Sequence, residues 1–166
     1  METQLNRVYI GLGSNLNEPA NQLRQALVTL EQHPHITLVV HSSFYGSKPV
    51  GPQDQPDFVN AVALLETSLT PEALLEALKL IEKRQGRIKK RHWGERTIDL
   101  DILLFGDIVM DTPDLTIPHK ELANRDFVLR PLLELNNNLS LPDGTLVSAL
   151  LQTCPDNQLR VYSTPE

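Results

Sequence analysis

Apolar spacing over the first 107 residues switches between the strand period of two and the helix period of 3.6 in the order β, α, β, β, α, β. LNRVYIGL (Leu5 to Leu12) is β-rich and ends at glycines. Asn17 and Pro19 then introduce a segment with Leu23, Ala26, Leu27 and Leu30 at helical spacing. HITLVVHSSFY (His35 to Tyr45) reads as one strand, and the proline-punctuated GSKPVGPQDQPD (Gly46 to Asp57) as a long ordered loop. FVNAVALLET (Phe58 to Thr67) resumes the sheet. Thr70-Pro71 caps a helix carrying Leu74, Leu75, Leu78 and Ile81. TIDLDILLFGD (Thr97 to Asp107) supplies a further strand, turning into a short partner at IVM. This order predicts an α+β fold, a ferredoxin-like βαββαβ sandwich with two helices on one face of an antiparallel sheet. The remaining residues, with PHKELAN and GTLVSALLQ, extend it as short strands and helices around the same sheet.

No repeat, low-complexity tract or linker divides the chain, so residues 1–166 are expected to form one domain. No apolar run reaches the roughly 18 residues of a membrane span, and the first residues lack a signal-peptide pattern. The only cysteine, Cys154, excludes an internal disulfide and suits a reducing compartment, so a cytoplasmic protein is expected. The net charge of -6 argues against indiscriminate nucleic-acid binding. Its distribution is uneven: RQGRIKKRHWGER, Arg84 to Arg96, holds six Lys/Arg against one acid, Glu95. Such a run reads either as a solvated loop or as a place where a small anion gathers.

TIDLDILL is the most informative segment. Strand alternation puts Ile98, Leu100 and Ile102 on one face and Asp99 and Asp101 on the other, about 7 Å apart at the backbone. Two carboxylates in so apolar a strand call for solvent, cations or a metal, and oxygen-only donors suit magnesium beside phosphates. GLGSN (Gly11 to Asn15) lacks the third glycine of a dinucleotide fingerprint, so the motif alone reads as a tight turn. Asn60 shares a strand face with Phe58 and offers an amide to a heterocycle edge. Phe58, Trp93, Phe127 and His119 taken singly are more often structural than functional.

In order along the chain, YIGLGSN, SSFYGSKPVGPQDQPDFVNA, IEKRQGR, RHWGERTIDLDILLFG and LTIPHKELANRDFVLRPL resemble the 6-hydroxymethyl-7,8-dihydropterin pyrophosphokinase family of folate biosynthesis. The resemblance covers nearly the whole chain. It implies an ATP-dependent diphosphotransferase that passes pyrophosphate to the pterin hydroxymethyl group and releases AMP. It further implies a pair of magnesium ions held by Asp99 and Asp101. Arg87 and Arg96 are implied to contact the phosphates and assist transfer, and Trp93 to close over the site from the basic loop. On the ATP side it assigns Glu82, Ile102, Thr116, His119 and Arg125 along with Arg87, Trp93 and Arg96. On the pterin side it assigns Gly13, Ser47, Val50, Phe58, Asn60 and Phe127 with Trp93, and Phe58 and Phe127 form the stacking pair. The chain departs from the family pattern at Phe58 (often tyrosine), Lys48 (often proline), Asp114 (arginine expected) and Lys120 (often aromatic). A basic loop one residue short leaves Lys89 and His92 without settled counterparts. A monofunctional monomer acting on ATP and the pterin is expected, without nucleic-acid or membrane partners. The competing readings are a ferredoxin-like nucleic-acid-binding or regulatory module and a magnesium-dependent phosphohydrolase. The first conflicts with carboxylates where an RNA-binding sheet displays aromatics, and the second leaves the pterin-like block unexplained.

Overall fold

The computed structural model describes residues 5–16, 18–48, 56–86, 97–156 and 159–162. Its elements run β1 (Asn6–Ser14), α1 (Pro19–Gln32), β2 (Ile36–His41), β3 (Tyr45–Ser47), β4 (Phe58–Thr67) and α2 (Pro71–Arg84). They continue with β5 (Asp99–Phe105), β6 (Met110–Asp111), β7 (Thr116–Ile117), α3 (Asp126–Leu135), α4 (Val147–Thr153) and β8 (Arg160–Val161). The fold is α+β: the main sheet is antiparallel, ordered β5-β1-β4-β3-β8, with β2 also paired to β4.

Alternation along β1 and β4 divides the core in two. Val8, Ile10, Leu12, Ala61, Ala63 and Leu65 face one side, where Leu23, Ala26, Leu27 and Leu30 of α1 and Leu74, Leu78 and Ile81 of α2 close over them. Tyr9, Val62 and Leu64 face the other, where Val128, Leu129 and Leu132 of α3 and Val147 of α4 pack. Helices therefore cover both faces of the sheet, whereas the element order alone predicts helices on one face. The second layer comes from α3, which is not evident in the sequence because Pro131 lies inside it. A proline there cannot donate to the carbonyl of Phe127 four residues back, and normally signals a break.

Three further expectations are corrected. The single strand from His35 to Tyr45 is two, β2 and β3, separated where the backbone N–H of Ser42 turns to the carbonyl of Val62 at 2.8 Å. GLGSN is not a turn at its glycines: Gly11 and Gly13 are paired strand residues of β1, extended like their neighbours. Nor is the segment at IVM a partner of β5: only Met110 of it is in a strand, β6, which pairs with β7 in a separate two-stranded sheet.

β5 is the element that positions chemistry. Leu100 and Ile102 enter the α1/α2 core while Asp99 and Asp101 face the α3 side, as alternation requires. A bulge then breaks the register, Ile10 pairing with Ile102 and Tyr9 with Leu104, so that Leu103 is the extra residue. Leu103 and Leu104 both turn to the α3 core and Phe105 returns to the other. The carbonyl of Leu103 accepts the backbone N–H of His119 at 3.0 Å, which brings the His119 segment beside Asp101.

A two-part candidate active site

Two adjacent rows cross the sheet on the α3 side. In one, Asp99, Gly13, Asn60 and Tyr45 are successive partners on β5, β1, β4 and β3; in the next, Asp101, Gly11 and Val62 are. The glycines leave a trough between the carboxylates of β5 and the side chains of β4. A Cβ at Gly13 would stand 3.2 Å from Oδ1 of Asn60, and one at Gly11 3.5 Å from Leu103. This trough is the floor of an open pocket of about 730 Å³, counting the part open to solvent. Phe58, Asn60 and Ser47 form one wall, Asp99 and Asp101 the opposite one, and Phe127 and Arg125 at the start of α3 lie over it.

The Asn60 amide donates to the Ser47 hydroxyl at 2.7 Å, both groups being buried. That bond fixes the amide, leaving Oδ1 on the Gly13 side as an acceptor. The Arg125 guanidinium lies 5.6 Å from the centre of the Phe127 ring. Asn15, just past β1, donates to the carbonyl of Pro56 at 3.0 Å, tying the end of β1 to the entry of β4.

A second pocket of about 600 Å³, also open to solvent, lies against the outer edge of β5. It is lined by Leu100, Asp101 and Ile102 with Thr116, His119 and Lys120. Asp101 belongs to both pockets. His119 Nε2 stands 4.0 Å from Asp101 Oδ2, and its Nδ1 accepts the backbone N–H of Glu121 at 3.1 Å, which assigns the proton to Nε2 in the neutral ring. Burial holds the His119 pKa below the ordinary histidine value, overcoming the opposite pull of Asp101. Glu82, near the end of α2, accepts the backbone N–H of Leu100 at 2.8 Å, between the two aspartates.

The residues expected on the pterin side, Gly13, Ser47, Phe58, Asn60 and Phe127, line the first pocket together. Of the ATP-side residues, Ile102, Thr116 and His119 line the second, Glu82 binds the β5 backbone, and Arg125 lies in the first pocket beside Phe127. Lys48 also lines the first pocket and stands 3.6 Å from Asp57, while Asp114 and Lys120 border the second. Val50, Arg87, Lys89, His92, Trp93 and Arg96 lie outside the described residues. The described residues on either side of 87–96 meet: the Thr97 hydroxyl donates to the carbonyl of Gly86 at 3.3 Å. Sequence reasoning missed Gly11 as part of the floor. Its position two residues before Gly13, on the same strand face, was the available signal.

Residues 9–137 match the family described as 7,8-dihydro-6-hydroxymethylpterin-pyrophosphokinase (HPPK). The chain is 51% identical over 151 residues to a 2-amino-4-hydroxy-6-hydroxymethyldihydropteridine pyrophosphokinase of Haemophilus influenzae, covering 91% of this chain and 94% of that protein. It is equally 51% identical to the protein of the same name from Pseudomonas aeruginosa, covering 91% and 93%. The fold is similar to that of Plasmodium falciparum HPPK-DHPS A437G solved with pteroate, with a TM-score of 0.70 at 14% identity, covering 92% of this chain and 41% of that one. An HPPK-DHPS solved in complex with substrates gives a TM-score of 0.71 at 12% identity, covering 89% and 43%. The chain thus spans about two fifths of the length of these solved proteins.

Proposed function

The chain belongs to the 7,8-dihydro-6-hydroxymethylpterin-pyrophosphokinase family, and we propose that it transfers pyrophosphate from ATP to 6-hydroxymethyl-7,8-dihydropterin across the carboxylate its two pockets share. That sharing is the observation that carries the reading: Asp101 lines a pocket suited to a flat polar ring and another bordered by Thr116, His119 and Lys120. Phe58 and Phe127 offer apolar faces to the pterin. Asn60, its amide nitrogen spent on Ser47, presents its carbonyl oxygen to a ring N–H or amino group. The triphosphate then extends along β5 toward Thr116 and His119, and the pterin hydroxyl meets it at Asp101, in line with the β-phosphorus. Release of AMP follows from that alignment.

Magnesium fits this donor set. Asp99 and Asp101 are oxygen ligands on one strand face, and the Asp101 side chain is 44% exposed, as an ion that keeps several waters and binds phosphates requires. When bound, magnesium neutralises polyphosphate charge. The chain's own residues hold both substrates at a fixed separation, and Glu82 steadies the strand between the two aspartates. Arg87 and Arg96 complete the charge neutralisation and Trp93 the enclosure, on the strength of the resemblance. We read the chain as a monomer, and the single cysteine supports a cytoplasmic setting. We read the strand order β5-β1-β4-β2, with α1 and α2 on one face, as the ferredoxin-like arrangement.

Thermal unfolding with ligands tests the reading. A nonhydrolysable ATP analogue with magnesium and the pterin together should raise Tm by more than either alone. Stabilisation by an oligonucleotide, with no response to the pterin, would replace it with the nucleic-acid-binding alternative.

A further inference from the structure

Seven residues after Phe127, and so two turns along the same stripe of α3, Glu134 reaches across to β3. One carboxylate oxygen accepts the backbone N–H of Ser43 at 2.8 Å and the Ser43 hydroxyl at 3.0 Å. The other accepts the Tyr45 hydroxyl at 2.6 Å. These bonds join parts of the chain about 90 residues apart and connect the two elements between which the first pocket opens. Tyr45 shares its strand face with Ser47 and pairs with Asn60 on β4. The clamp and the slot are therefore two ends of one contact between α3 and the sheet: Glu134 with Ser43 and Tyr45 at one end, Phe127 facing Ser47, Phe58 and Asn60 at the other.

Between those ends, α3 rests on the sheet through Val128, Leu129 and Leu132. Apolar contact holds a helix down without fixing its slide or tilt. A carboxylate with three directed donors does fix a position, and charge-assisted bonds of this length are strong ones.

We propose that Glu134 is a positioning residue for the pterin: it ties α3 to β3 and thereby sets the width of the slot between Phe127 and the β3–β4 wall. This rests on the assignment of that slot to the pterin. Glu134 touches neither substrate, so it acts through the placement of Phe127.

The test is steady-state kinetics of Glu134→Gln, Tyr45→Phe and the double variant, with Tm measured alongside. Glu134→Gln should raise the pterin KM about tenfold, Tyr45→Phe should raise it less, and the double variant should be no worse than Glu134→Gln alone, because both remove the same link. The ATP KM, and kcat at saturating pterin, should stay within about twofold of the parent. An unchanged pterin KM in the folded variants would overturn the proposal, as would a rise in both KM values together, the mark of a general loss of structure. Should Glu134→Gln fail to fold, Tyr45→Phe decides alone, since it removes one hydroxyl and keeps the ring. A parent protein that does not use the pterin at all would overturn the assignment of the slot and the inference with it, a result distinguishable from normal parent activity with indifferent variants.

Discussion

At Gly13 a methyl group would be a tight fit: a Cβ would stand 3.2 Å from the Asn60 amide oxygen, which would have to give by a few tenths of an ångström although its partner nitrogen is tied to Ser47. Gly13→Ala should therefore fold normally and weaken pterin binding at least tenfold, read by isothermal titration. Gly11→Ala, whose Cβ meets only Leu103 at an ordinary 3.5 Å, should weaken it far less. Equal losses at both positions would contradict the trough geometry. Asp101→Ala removes a carboxylate that contributes little packing, so Tm should hold or rise. Its turnover should fall by at least ~10²-fold, because the group serves both pockets. Near-parental activity in the folded variant would refute the metal assignment. At this scale the sequence was legible where a period-two argument applies. Asp99 and Asp101 opposite Leu100 and Ile102 follow from alternation alone, as does Asn60 beside Phe58. Gly11 was missed, and Gly13 was reached only through the resemblance, for the opposite reason: glycine permits a turn, and only the partner strands reveal that the missing side chain is wanted for space.

The helices hold the site by unequal means. Thr70 caps α2 by accepting the Ala73 backbone N–H at 3.1 Å, and α2 carries the Glu82 carboxylate that binds β5 at Leu100. Thr70→Ala should cost about 1 kcal/mol and lower Tm by roughly 2–4 °C, with both substrate affinities unchanged, by calorimetry and titration. On α3, Glu134 gives a pH signature. Partial burial pushes its carboxyl up, but the Tyr45 hydroxyl and the Ser43 N–H and hydroxyl outweigh that and leave its pKa below the ordinary 4.5, with His41 adding to the lowering. A depressed carboxyl pKa contributes stability above pH 4.5 that disappears as the pH falls through the folded-state value. The Tm difference between parent and Glu134→Gln should therefore be constant near neutrality and shrink below about pH 4.5; a difference independent of pH down to 3 would contradict the clamp. Burial, then the bond to Glu134, pushes Tyr45 up to about 12, so its hydroxyl stays a donor throughout this range. The helices with clean 3.6 spacing, α1 and α2, were readable from the sequence. The helix that closes the pocket was not, since Pro131 interrupts its pattern and the sheet face that it covers becomes apparent only once β1 and β4 pair.

Across the whole molecule, a sheet covered on both faces leaves its chemistry to the end where Asp99 and Asp101 of β5, the glycines of β1 and the wall of β3 and β4 come together. The division into two pockets was carried in the sequence only by the resemblance and not by alternation, because the His119 segment is placed by a bulge at Leu103 whose carbonyl leaves the ladder to accept the His119 N–H. Alternation predicts no such break. With the ring held by Phe58, Asn60 and Phe127 and the triphosphate along β5, as proposed, the two substrates would meet at Asp101, which lines both pockets, and a choice of phosphorus follows: transfer at the β-phosphorus rather than the γ is the expected outcome. Phosphorus NMR of the parent protein with ATP, magnesium and 6-hydroxymethyl-7,8-dihydropterin reads that choice directly. The account predicts a pterin diphosphate and AMP formed in equal amounts, both lost in Asp101→Ala; a pterin monophosphate with ADP, or free phosphate with the pterin unaltered, would contradict it.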